Sequence, residues 1–476
     1  MKKERKTIPP EGIRDSFREL GTPKTLLLGV QHMFAMFGAT ILVPILVAGY
    51  FRAACGEPIT RGLTVSTTLF CAGIGTLLFH VCTKLKVPAF LGSSFAFLGG
   101  FSTVANLNSG PYASMGANEK IAYACGGIVI AGLLYLVLAL IIKLVGVRQV
   151  MRFLPPVVTG PIIICIGLTL AGSAISNAST NWLIAVVALA VIVVFNIWGR
   201  GMFKIIPILM GVLVAYAFAA VLNAFGVTNP DGSAILNFSA VAEAGWVGLP
   251  DFQLAKFDLT SILVMAPIAI ASMMEHIGDI SAISATTNRN FIEDPGLQRT
   301  LLGDGLATSL AGLIGGPANT TYGENTGVLE LSKVYDPWVI RLAAIYAIIL
   351  SFIPKFSAII STMPASIIGG VSFMLYGMIS AIGVRNVVEN KVDLTKSRNL
   401  IIAGIIFVCG LGFSDGLTFT VAGAHITLTG LAIAAIAGIA LNAILPGKDY
   451  EFSGQPGRAD TGSFGNLGQG ENTRRK

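Results

Sequence analysis

The sequence predicts an all-α polytopic membrane protein, and three observations carry that expectation. The 476 residues are 54% hydrophobic and only 12% charged, with a mean hydropathy of +0.75. Soluble domains carry about 25% charged residues, so this chain lacks the side chains to cover a water-facing surface. Runs such as "LIAVVALAVIVVFNIW" and "IAGLLYLVLALIIKLVG" approach the ~20 residues a helix needs to cross hydrocarbon. Finally, local patterns of the first half recur in the second.

About fourteen apolar segments are countable. They begin near Thr25, Leu63, Pro88, Ile121, Phe153, Trp182, Ile205, Leu259, Leu297, Asn319, Trp338, Ser357, Leu400 and Ile426. The third and tenth are short and interrupted by Gly and hydroxyl residues. Loop charges support the count. Lys84/Lys86, Lys143/Arg148/Arg152, Arg200/Lys204, Arg289/Arg299, Lys333/Arg341 and Arg385/Lys391/Lys396/Arg398 fall in alternate connections, as does the tail "MKKERK". The intervening "SAISNASTN" and "GLIGGPAN" hold none. Basic residues mark the cytoplasmic side, so both termini are expected inside and the number of spans even. The N-terminus has no short apolar core followed by a cleavage site, so no removable signal is expected.

The net charge of +7 has no basic stripe or aromatic platform behind it, and membrane orientation explains it better than a nucleic-acid partner. The six cysteines stand apart, with neither metal spacing nor a disulfide framework. No HExxH or GxSxG motif is present, and no enzyme is expected.

Three pairs of patterns recur in the same order. "GVQHMFAM" aligns with "MMEHIGDI", placing Gln31-His32 on Glu275-His276. "GSSFAF" aligns with "NTTYGE", placing Ser93-Ser94-Phe95 on Thr320-Thr321-Tyr322. "PPVVTGP" from Pro155 aligns with "PASIIGG" from Pro364. With an odd number of spans per half, the halves run in opposite directions through the bilayer. Inverted repeats whose matching helices are interrupted place a transporter's substrate site at those interruptions. Irregular backbone at membrane depth survives only inside protein or beside a wet cavity. Short extended strands in segments 3 and 10 are therefore expected to meet near the midplane, with Glu324 facing a ligand.

In these motifs the chain resembles the nucleobase–ascorbate transporter family, from about Thr25 to about Pro446. The family signature reads "ENTGVLELSK" here, with Ser332 in place of the usual Thr. "QHMFAMFGATILVP", "PAFLGSSFAFLGG", "EHIGD" and "TTYGENTG" also match. The resemblance implies a core domain in 25–150 and 259–355 (segments 1–4 and 8–11) and a gate domain in 151–258 and 356–446 (segments 5–7 and 12–14). Residues 1–24 and 447–476 would be cytoplasmic tails. It implies a multi-pass protein of the plasma (inner) membrane that imports uracil together with a proton, with no cofactor. Glu275 and Glu324 would bind the pyrimidine, with backbone contacts from Phe95, Tyr322 and Gly323. Asp279 stands where a uracil-transporting member has His, and Asp304 matches an acidic position typical of xanthine-transporting members.

The chemistry agrees without the analogy. Uracil presents two N–H donors and two carbonyls; carboxylates accept from the first and backbone amides donate to the second. Ionisable residues inside a membrane mark function by default, which selects Glu275 and Glu324, with Asp279 and Asp304 as further proton-coupling candidates beside Glu275. Each of the last two could equally hydrogen-bond a broken helix. His32 and His276 read as ties between helices, His80 and His425 as bland residues near span ends, and Glu330 with Lys333 as a solvated ion pair. The rival functions are a xanthine or other purine symporter and an anion exchanger of the same architecture, which would favour Arg, Lys or bare helix N-termini over carboxylates. The partners expected are a nucleobase and the lipid bilayer, with a homodimer left open.

Cysteines introduced at Ser176 and at Lys396 test the orientation. An impermeant thiol reagent should label the first on intact cells and spare the second; equal labelling contradicts the fourteen-span arrangement.

Overall fold

The structure, a computed structural model, describes residues 12–447 apart from 201, 415, 422 and 423. The basic stretches at both extreme ends, on which the expected orientation partly rests, lie outside the described residues, as does the His425 side chain.

Helix α1 (Thr22–Cys55) is followed by α2 (Val65–Cys82), strand β1 (Leu91–Ser93) and the half-helix α3 (Leu98–Ala105), entered through a tight turn at Phe95–Phe97. Then come α4 (Ala117–Val145), α5 (Pro156–Ser179), α6 (Trp182–Trp198) and α7 (Pro207–Ala224). The second half repeats the order. It runs through α8 (Leu259–Thr287), α9 (Leu297–Leu313), strand β2 (Asn319–Thr321) and the half-helix α10 (Gly323–Ser332). It continues with α11 (Pro337–Ser351), α12 (Ala365–Glu389), α13 (Ser397–Gly412) and α14 (Gly430–Ile444). Among the described residues, α1, α2, α4, α5, α7, α8 and α12 are each long and apolar enough to cross a membrane unaided. This is a multi-pass membrane protein.

The packing has a pseudo-two-fold. Helix α9 packs on α4 as α11 packs on α2, and α11 on α1 as α4 on α8. Likewise α7 packs on α6 as α14 on α13, and α12 on α6 as α5 on α13. Exchanging each helix with the one seven places on maps these contacts onto each other. Two groups result, α1–α4 with α8–α11 and α5–α7 with α12–α14. Across the seam between them, α8 meets α5 and α14 while α1 meets α7. Helices α5 and α12 cross where both lack side chains: a Cβ on Gly383 would lie 2.8 Å from the Gly160 carbonyl. Small residues let membrane helices approach this closely.

The two strands pair antiparallel, Leu91 with Thr321, Gly92 with Thr320 and Ser93 with Asn319. The Ser94 amide donates to the Ala318 carbonyl at 2.8 Å and the Tyr322 amide to Phe90 at 3.0 Å, extending the ladder at both ends. The remaining edges bond to threonine hydroxyls. Thr76 on α2 accepts from the Leu91 amide (2.9 Å) and donates to its carbonyl (3.2 Å). Thr308 on α9 serves Asn319 in the same way, at 3.2 and 3.1 Å. A Cβ on Gly92 would strike the Tyr322 ring and come within 2.8 Å of Thr40 Oγ1, so the close approach requires glycine.

Lys120, near the start of α4 and 2% exposed, answers the other end of α3. Its Nζ donates to the carbonyls of Ala105 (3.0 Å) and Leu107 (2.8 Å) and lies 3.4 Å from Asn108 Oδ1. A helix ends with carbonyls that lack partners, and a cation there satisfies them and opposes the helix dipole. On the other half, the segment before α1 docks on the α10–α11 connection. The Ile13 amide donates to Lys333 O at 2.8 Å, and Ser16 donates to Asp336 Oδ2 through both its amide (2.8 Å) and its hydroxyl (2.7 Å). Lys86, after α2, reaches Asp294 at 2.6 Å and holds that carboxyl below the usual carboxylate range.

Three expectations need correction. The twelfth segment does not start at Ser357: that residue lies in a separate helix, Pro354–Ser361, turned 87° from α11, and α12 begins after Pro364. Pro354 and Pro364 each open a helix because proline lacks the amide that continuing the previous one would require. Nor does the last segment start at Ile426. That residue belongs to a hairpin of β3 (Leu417–Val421) and β4 (Ala424–Leu428), and α14 begins after a Thr429 cap. The alternation in "LTFTV" and "AHITL" is a strand period that the apolar content concealed. Finally, Glu330 and Lys333 form no ion pair. Lys333 takes a left-handed conformation (φ 53°) and ends α10, turning its side chain off the helical i,i+3 path.

Lys120→Met should leave the α3 carbonyls buried without a donor, a loss of about 1–3 kcal/mol. Thermal unfolding of the detergent-purified protein should show a clear fall in Tm; an unchanged Tm would mean that the carbonyls find other partners.

Candidate functional site

The half-helices α3 and α10 start where the strands stop, so two helix N-termini open at the centre of the molecule. Their first-turn amides have no partners inside the helix and aim at whatever lies beyond. Beside them is a cavity of about 520 Å³ lined by Phe95, Glu275, Asp279, Tyr322, Gly323 and Glu324. It extends between the two helix groups to Lys204, Arg385, Glu389 and Asn390, at the end of the molecule that holds the basic connections.

Five residues expected to bind substrate therefore share one cavity wall. Phe95 is 4% exposed and packs edge-on against Tyr376 of α12, with ring centroids 5.8 Å apart. Glu275 points in from α8, its Oε2 buried and without a hydrogen-bond partner among the described residues. An orphaned carboxylate oxygen at membrane depth is expensive unless something donates to it. Glu324 sits in the first turn of α10, where the helix dipole favours negative charge. Gly323 opens that helix; a Cβ there would lie 3.5 Å from Ile382 and 3.8 Å from Asp279 Oδ1, so its bare backbone faces the cavity.

The Tyr322 ring is folded back on β1. Its hydroxyl donates to the Ser93 carbonyl at 2.9 Å and lies 3.2 Å from Ser93 Oγ, and its amide is the one bonded to Phe90, so Tyr322 borders the cavity with its donors already engaged.

The proton-coupling candidates separate. Asp279 lies one turn below Glu275 on the same face of α8, and its Oδ2 accepts from the Thr321 hydroxyl at 2.9 Å. Asp304, on α9, is fully buried and does not line the cavity; its Oδ2 is 3.0 Å from His276 Nδ1, equally buried. His276 thus ties α8 to α9. His32 ties α1 to α10, where Asn325 Nδ2 donates to its carbonyl at 3.0 Å and lies 3.3 Å from Nδ1. His80 lies 3.0 Å from the Ala89 carbonyl, bracing the approach to β1.

Sequence reasoning missed Tyr376, Thr76, Thr308 and Lys120. A lysine in the first turn of an apolar run is a readable anomaly, whereas single hydroxyls and tyrosines in apolar helices are too common to single out.

A family model described as "Permease family" matches residues 23–419. The chain belongs to this family. It is 40% identical over 438 residues to the uracil permease of Bacillus caldolyticus, covering 89% of this chain and 92% of that protein. It is 39% identical over 449 residues to the uracil permease of Bacillus subtilis (strain 168), covering 90% and 94%. Among solved structures, the transmembrane domain of the cyanobacterium bicarbonate transporter BicA is similar, with a TM-score of 0.58 at 16% identity over 89% of this chain and 99% of that one. The overall structure of SLC26A9 matches with a TM-score of 0.59 at 11% identity, over 90% and 66%. At such identity these two bear on the fold alone. This chain has that inverted-repeat architecture, and its own β1 and β2 pair at the centre.

Proposed function

We propose that this permease carries uracil inward with a proton, by alternating access across the plasma membrane, with both termini in the cytoplasm. The observation that carries the reading is the convergence of Glu275, Glu324 and two helix N-termini on one central cavity. The names of the two Bacillus relatives support uracil as the cargo.

Uracil is flat, with N–H donors flanked by carbonyls. Glu324 and Glu275 accept from the ring N–H groups, and the amides at Phe95 and Gly323 donate to the carbonyls; the Tyr322 amide is already held by the Phe90 carbonyl, so Tyr322 contributes as wall rather than donor. The Phe95 ring, supported by Tyr376, covers one face of the base. A purine demands more room and a different donor pattern, and an anion would be repelled by the carboxylates.

In this reading α1–α4 with α8–α11 form the core that holds the substrate, and α5–α7 with α12–α14 form the gate. The cavity at the seam, reaching towards the basic end, supports an inward-facing state. Glu275 and Asp279 repel each other when both are ionised in a poorly hydrated place, so the pair readily holds one proton between them. Uracil is neutral near pH 7, so the proton makes the step electrogenic. Proton release to the inside restores the repulsion and frees the substrate. Asp304, engaged with His276, is the next candidate for coupling should this pair not serve.

Glu324→Gln replaces a charged acceptor by an amide that also donates. Uracil affinity, measured by calorimetry on the purified protein, should fall about ten- to a hundredfold, the range for one charge-assisted hydrogen bond. An unchanged Kd removes Glu324 from the ligand set.

In proteoliposomes, Glu275→Gln should abolish uphill uracil accumulation driven by an inward proton gradient. Asp279→Asn should mainly shift its pH dependence, because repulsion is lost while the ligand stays. Gradient-driven accumulation by Glu275→Gln at the wild-type level moves the coupling elsewhere.

A further inference from the structure

One stretch of the cavity wall has a chemistry the binding scheme above does not use. Gly278 lies on the cavity face of α8, between Glu275 and Asp279. Having no side chain, it lets α12 of the other helix group come close: an ideal Cβ there would sit 3.5 Å from Asn386 Nδ2 and 3.5 Å from Ile163 Cδ1. Asn386 also lines the cavity, and its amide is oriented. Asn390, one turn on, donates from Nδ2 to the Asn386 carbonyl at 2.8 Å and reaches its Oδ1 at 3.3 Å. With Oδ1 taken as the acceptor, Nδ2 is the end turned towards α8. Opposite it, Asp279 has only Oδ2 bonded to Thr321, while Oδ1 lies on the side of Gly323 and the cavity.

An amide donor and a carboxylate acceptor thus face each other across the seam, one helical turn (about 6 Å along α8) nearer the basic end than Glu275. Both border the cavity beside a bare glycine, and together they offer a donor and an acceptor, the complement of a flat ring edge with a carbonyl beside an N–H. We propose that Asn386 contacts the substrate from the gate side, at a second hydrogen-bonding station on the release path. There its Nδ2 donates to a ring carbonyl while Asp279 Oδ1 accepts the adjacent ring N–H. This rests on the nucleobase reading. The station gives the departing base replacement partners as it leaves Glu324, and it lowers the barrier to release without adding to affinity at the central site. It also makes passage selective for cyclic amides over apolar rings of the same size.

The test uses the full chain in proteoliposomes, with equilibrium uracil binding measured in parallel. Wild type must first bind and exchange uracil; if it does not, the nucleobase reading fails and Asn386 is not at issue. Where it does, Asn386→Leu removes the donor at nearly constant volume. Exchange turnover of uracil should fall about two- to tenfold, the worth of one neutral hydrogen bond, while the equilibrium Kd stays within about twofold. 2-Thiouracil and 4-thiouracil, whose sulfur is a weak acceptor, identify the bond. Wild type should turn over at least one of them more slowly than uracil, and Asn386→Leu should erase that difference. Asn386→Ser, which keeps a donor, should retain part of it. A structural role would slow all three substrates in proportion and leave the ratios at wild-type values; that result overturns the proposal, as does unchanged uracil turnover in Asn386→Leu. Should Asn386→Leu fail to fold, Asn386→Ala, which also lacks the donor, takes its place, and wild-type ratios in it overturn the proposal.

Discussion

A membrane protein cannot leave backbone N–H and C=O groups bare in its interior, and the pairing of β1 with β2 is where this chain meets that demand. Two chain segments stop being helical at the centre of the molecule. Each supplies what the other lacks, through the register Leu91–Thr321 to Ser93–Asn319, and threonines on α2 and α9 complete the edges. With the backbone satisfied, α3 and α10 can begin there and leave their first-turn amides directed at a cavity. Without that pairing there would be no central helix N-termini, and neither Phe95 nor Glu324 would stand where it does.

The frame is two-fold, but the chemistry is not. The sequence repeat aligns Gln31-His32 with Glu275-His276, and Ser94-Phe95 with Thr321-Tyr322, so the carboxylates come from the second half alone. The first half contributes an amide and an aromatic face. In the proposed binding scheme, a symmetric scaffold thereby offers a planar ligand acceptors on one side and donors with an apolar wall on the other. Neither half holds the ligand set by itself.

Buried polar groups fall into two kinds. Lys120 on the α3 carbonyls, Asn325 on His32 and His276 beside Asp304 are engaged within the chain, and they fix where the broken helices lie. Glu275, Asp279 and Glu324 border the cavity, and Glu275 keeps an oxygen without a partner among the described residues. The first kind holds the second in place. Partnered ions stabilise an arrangement, while one lacking a partner is tolerated only where a ligand or proton can reach it.

The sequence alone determined the helical membrane class, the order of the segments and the interruptions at "GSSFAF" and "NTTYGE", because hydropathy and glycine content are local properties. It also singled out Glu275 and Glu324, since a carboxylate in an apolar run is conspicuous without any fold. Tertiary structure decided what local properties cannot express. It paired Asp304 with His276 away from the cavity while leaving Asp279 on it, although both were equally plausible acids in apolar helices. It brought Tyr376 to Phe95, Lys120 to the end of α3 and Asn386 to Gly278, contacts between residues far apart in the chain. It split the expected twelfth segment at Pro364 and turned the start of the fourteenth into a hairpin, where apolar content had masked a period of two. Which face of a helix meets which neighbour depends on the packing of the whole, and that packing set Asp304 beside His276 and Asp279 beside the cavity.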